Sequence, residues 1–87
     1  MNEEITYSEL VNKVFERTLN LRDEAEIKKE VKDRLTKKEL KSLLHIYSGG
    51  QENEIMEKLN LDSERFQAVL DSGKKKIKNG FSKLTLQ

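Results

Sequence analysis

The side chains able to do chemistry in this chain are few, and most are simple charges. Cysteine is absent, which removes disulfides, thiolate nucleophiles and thiolate metal sites together. The single histidine, His45, excludes a multi-histidine metal cage. It falls beside an apolar helical stripe, where a half-buried structural role outweighs that of a base. The acid pairs Glu24 with Glu26 and Glu52 with Glu54 are two residues apart, so each pair points to different faces of a helix and forms no acid/base dyad. No nucleophile stands at a spacing that would pair it with a base, and neither a phosphate loop nor a metal-ligand pattern is present. The expectation is a non-enzyme with no catalytic residue, no metal and no cofactor. The densest cluster left is basic: Lys74, Lys75, Lys76 and Lys78. A solvated face, or a favourable charge at the negative end of a helix dipole, accounts for such a run as well as an anion site does.

Stepping from these residues to the chain that carries them, 87 residues make one small domain, since so short a chain buries only about 60% of its unfolded surface. Charged residues form 38% and hydrophobic ones 34% of the sequence, so the apolar side chains must be placed economically. No apolar run approaches the roughly 20 residues of a bilayer span. The acidic start, Asn2, Glu3 and Glu4, is unlike a secretory signal. A cytoplasmic address without a membrane partner follows as the expectation. The formal net charge is only +1, yet its distribution is uneven. Residues 51 to 72 hold six acids against two bases, and residues 73 to 87 hold five lysines and no acid.

With no proline and no sustained alternation of β-branched residues, the pattern predicts an all-α protein, a small bundle of about five helices. The first opens at Thr6, where Glu9 three residues on completes a capping box, and carries Tyr7, Leu10, Val11, Val14 and Phe15 as one stripe. A second follows Asp23 as N-cap with Ile27, Val31 and Leu35. The third has the clearest local start, Thr36 with Glu39 as a capping box and Leu35 with Leu40 as a hydrophobic staple. Leu40, Leu43, Leu44 and Tyr47 face inward along it, and Ser48, Gly49 and Gly50 end it. A short fourth helix over 54–59 presents Ile55, Met56 and Leu59, and Asn60 can take the positive φ of a tight turn. The fifth starts after Asp62 and buries Phe66, Val69 or Leu70, Gly73 and Ile77.

Two short helices separated by a three-to-four-residue turn, the second longer and ending in basic residues, form the layout of a helix-turn-helix. Ile55 and Leu59 would pack the first helix of that motif, Leu61 the turn, and Phe66, Leu70 and Ile77 the second. The chain then divides into an N-terminal helical extension, residues 1–34, serving packing or dimerisation, and a helix-turn-helix domain over 35–87 with a basic C-terminal tail.

Over about 50 residues this stretch resembles domain four of bacterial sigma factors and the related response-regulator type of DNA-binding domain. The resemblance runs from Leu35, Thr36, Lys37, Lys38 and Glu39, like the Leu-x-x-x-Glu opening, through Leu43 and Tyr47. It continues from Glu54 to Leu61, like Glu-Ile-Ala-x-x-Leu-Gly-Ile, and ends on Phe66, Leu70, Gly73 and Ile77 along the recognition helix. It implies a bacterial transcription regulator or sigma-like factor whose helix, about 62–78, enters the major groove of double-stranded DNA. The outward positions would be Ser63, Glu64, Arg65, Gln67, Ala68 and Asp71. Among these the base contacts implied are Arg65, Gln67, Ala68 and Ser63; arginine suits guanine and glutamine suits adenine, each pair discriminating by about 1–3 kcal/mol. Lys74, Lys75 and Lys78 would contact phosphates, with Lys76 close by, setting affinity and salt dependence.

The sequence departs from that family in ways that keep a second reading open. Glu64, Ala68 and Asp71 stand where relatives often carry basic residues, the turn over residues 48 to 51 is about one residue shorter than the family's, and residues 1–34 do not resemble a promoter-melting region. The alternative is a protein–protein adaptor on the same fold, docking its acidic 51–72 segment on RNA polymerase or another protein without binding DNA. The N-terminal stripe likewise fits either the core of a monomer or the seam of a homodimer.

Overall fold

The computed structural model describes residues 5–86, and the acidic start at Asn2, Glu3 and Glu4 lies outside the described residues. Six helices follow in order: α1 (Tyr7–Phe15), α2 (Glu24–Arg34), α3 (Lys37–Tyr47), α4 (Glu52–Leu59), α5 (Ser63–Asn79) and α6 (Phe81–Leu84). The fold is all-α. Its sole β feature among the described residues is an isolated bridge between Leu21 and Thr85.

Local capping explains most of the boundaries. Thr6 caps α1 by accepting the Glu9 amide at 3.1 Å, but Glu9 does not close the predicted box. Glu24 of α2 takes the first-turn donors instead, accepting the Tyr7 amide at 2.9 Å and the Ser8 amide at 3.0 Å. A carboxylate there satisfies two orphan donors and meets the positive end of the helix dipole. Asp23 occupies the N-cap of α2 without a side-chain cap bond. In α3 both halves of the predicted box form, Thr36 N–H donating to Glu39 at 2.8 Å and Glu39 N–H to Thr36 at 3.2 Å. The α4 helix begins two residues earlier than its apolar pattern predicts, at Glu52, because Glu54 accepts the Gln51 amide at 3.2 Å and fixes that residue outside the first turn. Asp62 caps α5 by accepting the Arg65 amide at 2.8 Å.

One hydrophobic core runs through the molecule. Leu10, Val11 and Val14 of α1 and Ile27 and Val31 of α2 join Leu43, Ile55, Phe66, Leu70 and Ile77. Leu70 is buried and Val69 half-buried, which settles the choice between them. The three inward residues of α1 are already consumed within one chain, leaving only Tyr7 and Phe15 of its stripe partly accessible.

The sequence pattern ends in a basic tail, whereas the structure folds this stretch back. Leu84 is fully buried and Thr85 nearly so. The Arg22 amide donates to the Leu84 carbonyl at 3.0 Å and the Leu86 amide to the Asn20 carbonyl at 2.8 Å. This return adds α6 to the five helices expected. Phe81, Leu84 and Leu86 span less than two turns and give too weak a periodic signal to announce so short a helix.

Candidate functional site

The site residues implied by the sequence all fall on α5, so its orientation decides what they can do. Phe66, Leu70, Gly73 and Ile77 bind it to the core. The crossing with α3 is close at Gly73, where a Cβ would stand 2.7 Å from Leu43 Cδ1. Leu43 is itself completely buried, so a side chain at 73 would push the two helices apart.

Opposite this buried line lies a continuous stripe of exposed residues, Glu64, Ala68, Asp71, Lys75 and Lys78, at alternating spacings of four and three. Its first half is acidic and its second half basic. Arg65 and Gln67 are both exposed, but two residues along a helix is a rotation of about 200°. They therefore sit on opposite flanks of the stripe, Gln67 with Ser63 on one side and Arg65 on the other. Ala68 alone of the four implied base contacts lies on the stripe itself. The Gln67 amide nitrogen donates to Asp71 at 3.1 Å, which leaves its carbonyl oxygen as the free end.

The lysines also divide by flank. Lys75 and Lys78 are exposed and make no ion pair among the described residues. Lys74 is half-buried, its ammonium 5.9 Å from the centroid of the Tyr47 ring, within range of a cation–π attraction. Lys76 turns the other way and donates to Glu39 at 2.8 Å.

Glu39 is the residue whose second role sequence reasoning missed. It is 5% exposed, and beyond its cap bond it accepts the Ser72 hydroxyl at 2.5 Å and the Lys76 ammonium. Burial alone would push its carboxyl up; the hydrogen bonds from Lys76, Ser72 and the Thr36 amide outweigh that and hold it below its ordinary value. Its position at the third residue of α3 signals only a cap. The partners on α5 are more than thirty residues away in sequence.

His45 acts as a clasp on the turn between α3 and α4. Its Nε2 lies 2.9 Å from the Gln51 carbonyl, an acceptor, so that nitrogen carries a proton and donates. Glu54 stands 3.7 Å from the same nitrogen. Gly49 completes the turn with φ of 92°, the left-handed conformation open to glycine. Among the described residues no group of three or more His, Cys, Asp or Glu is placed to hold a metal ion, and no helix is long and apolar enough to cross a membrane.

Compared with protein-family models, with curated proteins and with solved structures, the chain finds no match in any of the three.

Proposed function

We propose that this chain is a small DNA-binding protein of the helix-turn-helix kind, a transcription regulator or sigma-like factor acting in the cytoplasm. In this reading the outer face of α5 enters the major groove of double-stranded DNA. The observation that carries it is the state of α5: five turns of helix, anchored along one line by Phe66, Leu70, Gly73 and Ile77, with the opposite stripe from Glu64 to Lys78 exposed. A rigid helix with one face free is what groove reading requires. Asn60, with φ of 56°, turns the chain sharply from α4 into α5. Lys75 and Lys78 would meet phosphates, while Ala68 and whichever of Arg65 or Gln67 faces the bases would read sequence.

A second reading keeps α5 out of the groove. Glu52, Glu54, Glu57, Asp62, Glu64 and Asp71 are all exposed, and this acidic surface suits a basic protein partner, such as a component of the transcription machinery. Phosphate would be repelled by the same acids.

Fluorescence anisotropy of a mixed-sequence duplex at several salt concentrations separates the two. The groove reading expects binding that weakens steeply with salt. Arg65→Ala should relax sequence preference, and the Lys75→Gln, Lys78→Gln double variant should flatten the logarithmic salt slope by about 2 for every sequence. Absence of binding even at low salt would leave the adaptor reading standing.

A further inference from the structure

The lysines of α5 do not stand alone on the Tyr47 flank. Lys13, Glu16 and Arg17, at the end of α1, line a shallow open concavity together with Tyr47 of α3. Lys74 reaches the same tyrosine ring from α5, and Lys78 follows one turn along the same side of that helix. Two segments far apart in sequence, the end of α1 and α5, thus bring Lys13, Arg17 and Lys74 around one half-buried aromatic of α3, with Lys78 one turn further along α5. Within the lining of the concavity Glu16 is the acid set against them.

The end of α1 is held firmly in this place. Glu16 takes a left-handed conformation with φ of 59°, and the Arg17 amide donates to the Asn12 carbonyl at 3.2 Å. The Asn12 side chain accepts the Leu19 amide at 2.9 Å. The Arg17 guanidinium stands 5.9 Å from the Phe81 ring centroid, and that ring meets Phe15 edge-on at 5.5 Å. Lys13, Arg17, Lys74 and Lys78 make no ion pair among the described residues. With Glu16 as the one acid in the lining, the cations still outnumber it and repel one another, and an anion laid across them relieves that repulsion.

We infer that this flank is a phosphate-binding site, in which Lys13 and Arg17 of α1 join Lys74 and Lys78 of α5 to hold the sugar-phosphate backbone of a DNA duplex. The inference rests on the groove reading of α5 and supplies the positive charge that the acidic first half of its stripe lacks. The concavity is open, and besides the Tyr47 ring its lining side chains, Asn12, Lys13, Glu16, Arg17 and Thr18, are all polar or charged in type. A polyanion needs only spaced cations. Contacts of this kind fix orientation and carry no sequence information, so α1 would position α5 without reading bases.

The test compares the wild-type protein with the Lys13→Gln, Arg17→Gln double variant in anisotropy titrations of a short mixed-sequence duplex across a salt series. Loss of two phosphate contacts should lower the logarithmic salt slope by about 2 and the affinity roughly tenfold near physiological salt. Glu16→Gln should bind a few-fold tighter, a gain that misfolding cannot produce. Melting curves followed by circular dichroism check that the double variant folds. An unchanged slope in the double variant, with the wild type binding, overturns the α1 site and leaves the groove reading intact. If the double variant loses affinity while Arg65→Ala and Lys75→Gln change nothing, the phosphate site stands and the groove reading fails. Absence of wild-type binding at low salt overturns both. Tighter binding to phosphatidylglycerol vesicles than to the duplex overturns the assignment to nucleic acid.

Discussion

The two flanks of α5 are built from the same residue types and end in opposite states. On one, Lys76 and Ser72 close on Glu39, a buried carboxylate of α3, and the two charges are paired. On the other, Lys74 lies over the Tyr47 ring and its nearest charged company from α1 is mostly of its own sign. Two lysines only two residues apart thus serve different ends, Lys76 joining helices and Lys74 charging a surface. A run of lysines in a sequence states how much charge exists. Which part of it reaches solvent is decided by the helix period and by what the opposite helix offers.

Glu39→Ala should break the closed flank with the largest effect. It removes the half of the capping box that Glu39 supplies to the Thr36 amide and strips a buried site of its bonds to Ser72 and Lys76, each charge-assisted. A loss of about 2–4 kcal/mol in urea unfolding is expected; a loss under about 0.5 kcal/mol, the size of a surface change, would mean that the closed flank contributes no more than the open one. The same carboxyl gives the flank an acid limit. Because its folded pKa is depressed, its contribution is complete above the unfolded carboxylate value of about 4.3 and fades as the pH falls through the lower folded value. Wild-type protein should therefore lose stability below that point more steeply than Glu39→Gln. Glu24, held low in the same direction when the hydrogen bonds from Ser8 and Tyr7 outweigh its burial, will leave some acid dependence in that variant.

Gly73→Val tests the crossing that sets the two flanks apart. The added Cβ would meet Leu43 at 2.7 Å, and Leu43 has no solvent side to which it can yield. Overpacking should cost about 1–3 kcal/mol. Because the same crossing aligns Ser72 and Lys76 with Glu39, the variant should also lose part of the acid dependence expected of the wild type. Retention of full acid dependence despite lower stability would show that the polar cluster holds independently of the helix contact.

The parts of this structure that were legible in the sequence are those carried by residues three or four apart. The Thr36 and Glu39 box, the Asp62 cap and the buried line of α5 all have that form. The start of α4 was misplaced because its first turn, Glu52 and Asn53, is wholly polar and exposed, so hydrophobic periodicity cannot see it. What could not be read is tertiary. Glu24 capping α1, Glu39 receiving Lys76 and α1 bringing Arg17 toward Tyr47 each join residues from different helices. Even on α5, Arg65 and Gln67, both exposed and two residues apart, face different ways around the helix. The apolar stripe of α1 was open to a core and, less favoured, to a dimer seam; its destination depended on helices far away in sequence, with which Leu10, Val11 and Val14 share one buried cluster.

The finest test sets the two lysines directly against each other. Lys76→Gln leaves Glu39 with one partner fewer, and although Lys76 is partly exposed, its partner is not, so about 1 kcal/mol of stability should be lost. Lys74→Gln gives up only a partly exposed cation–π contact and should cost about 0.5 kcal/mol or less. In duplex binding the order should reverse. Lys74→Gln should weaken binding and lower the salt slope by about 1, whereas Lys76→Gln, whose charge is already neutralised by Glu39, should leave the slope close to that of the wild type. If both substitutions lowered the slope alike, the ion pair with Glu39 would have to open in the complex. The charge of Lys76 would then belong to the binding surface, and the distinction between the flanks would hold for the free protein alone.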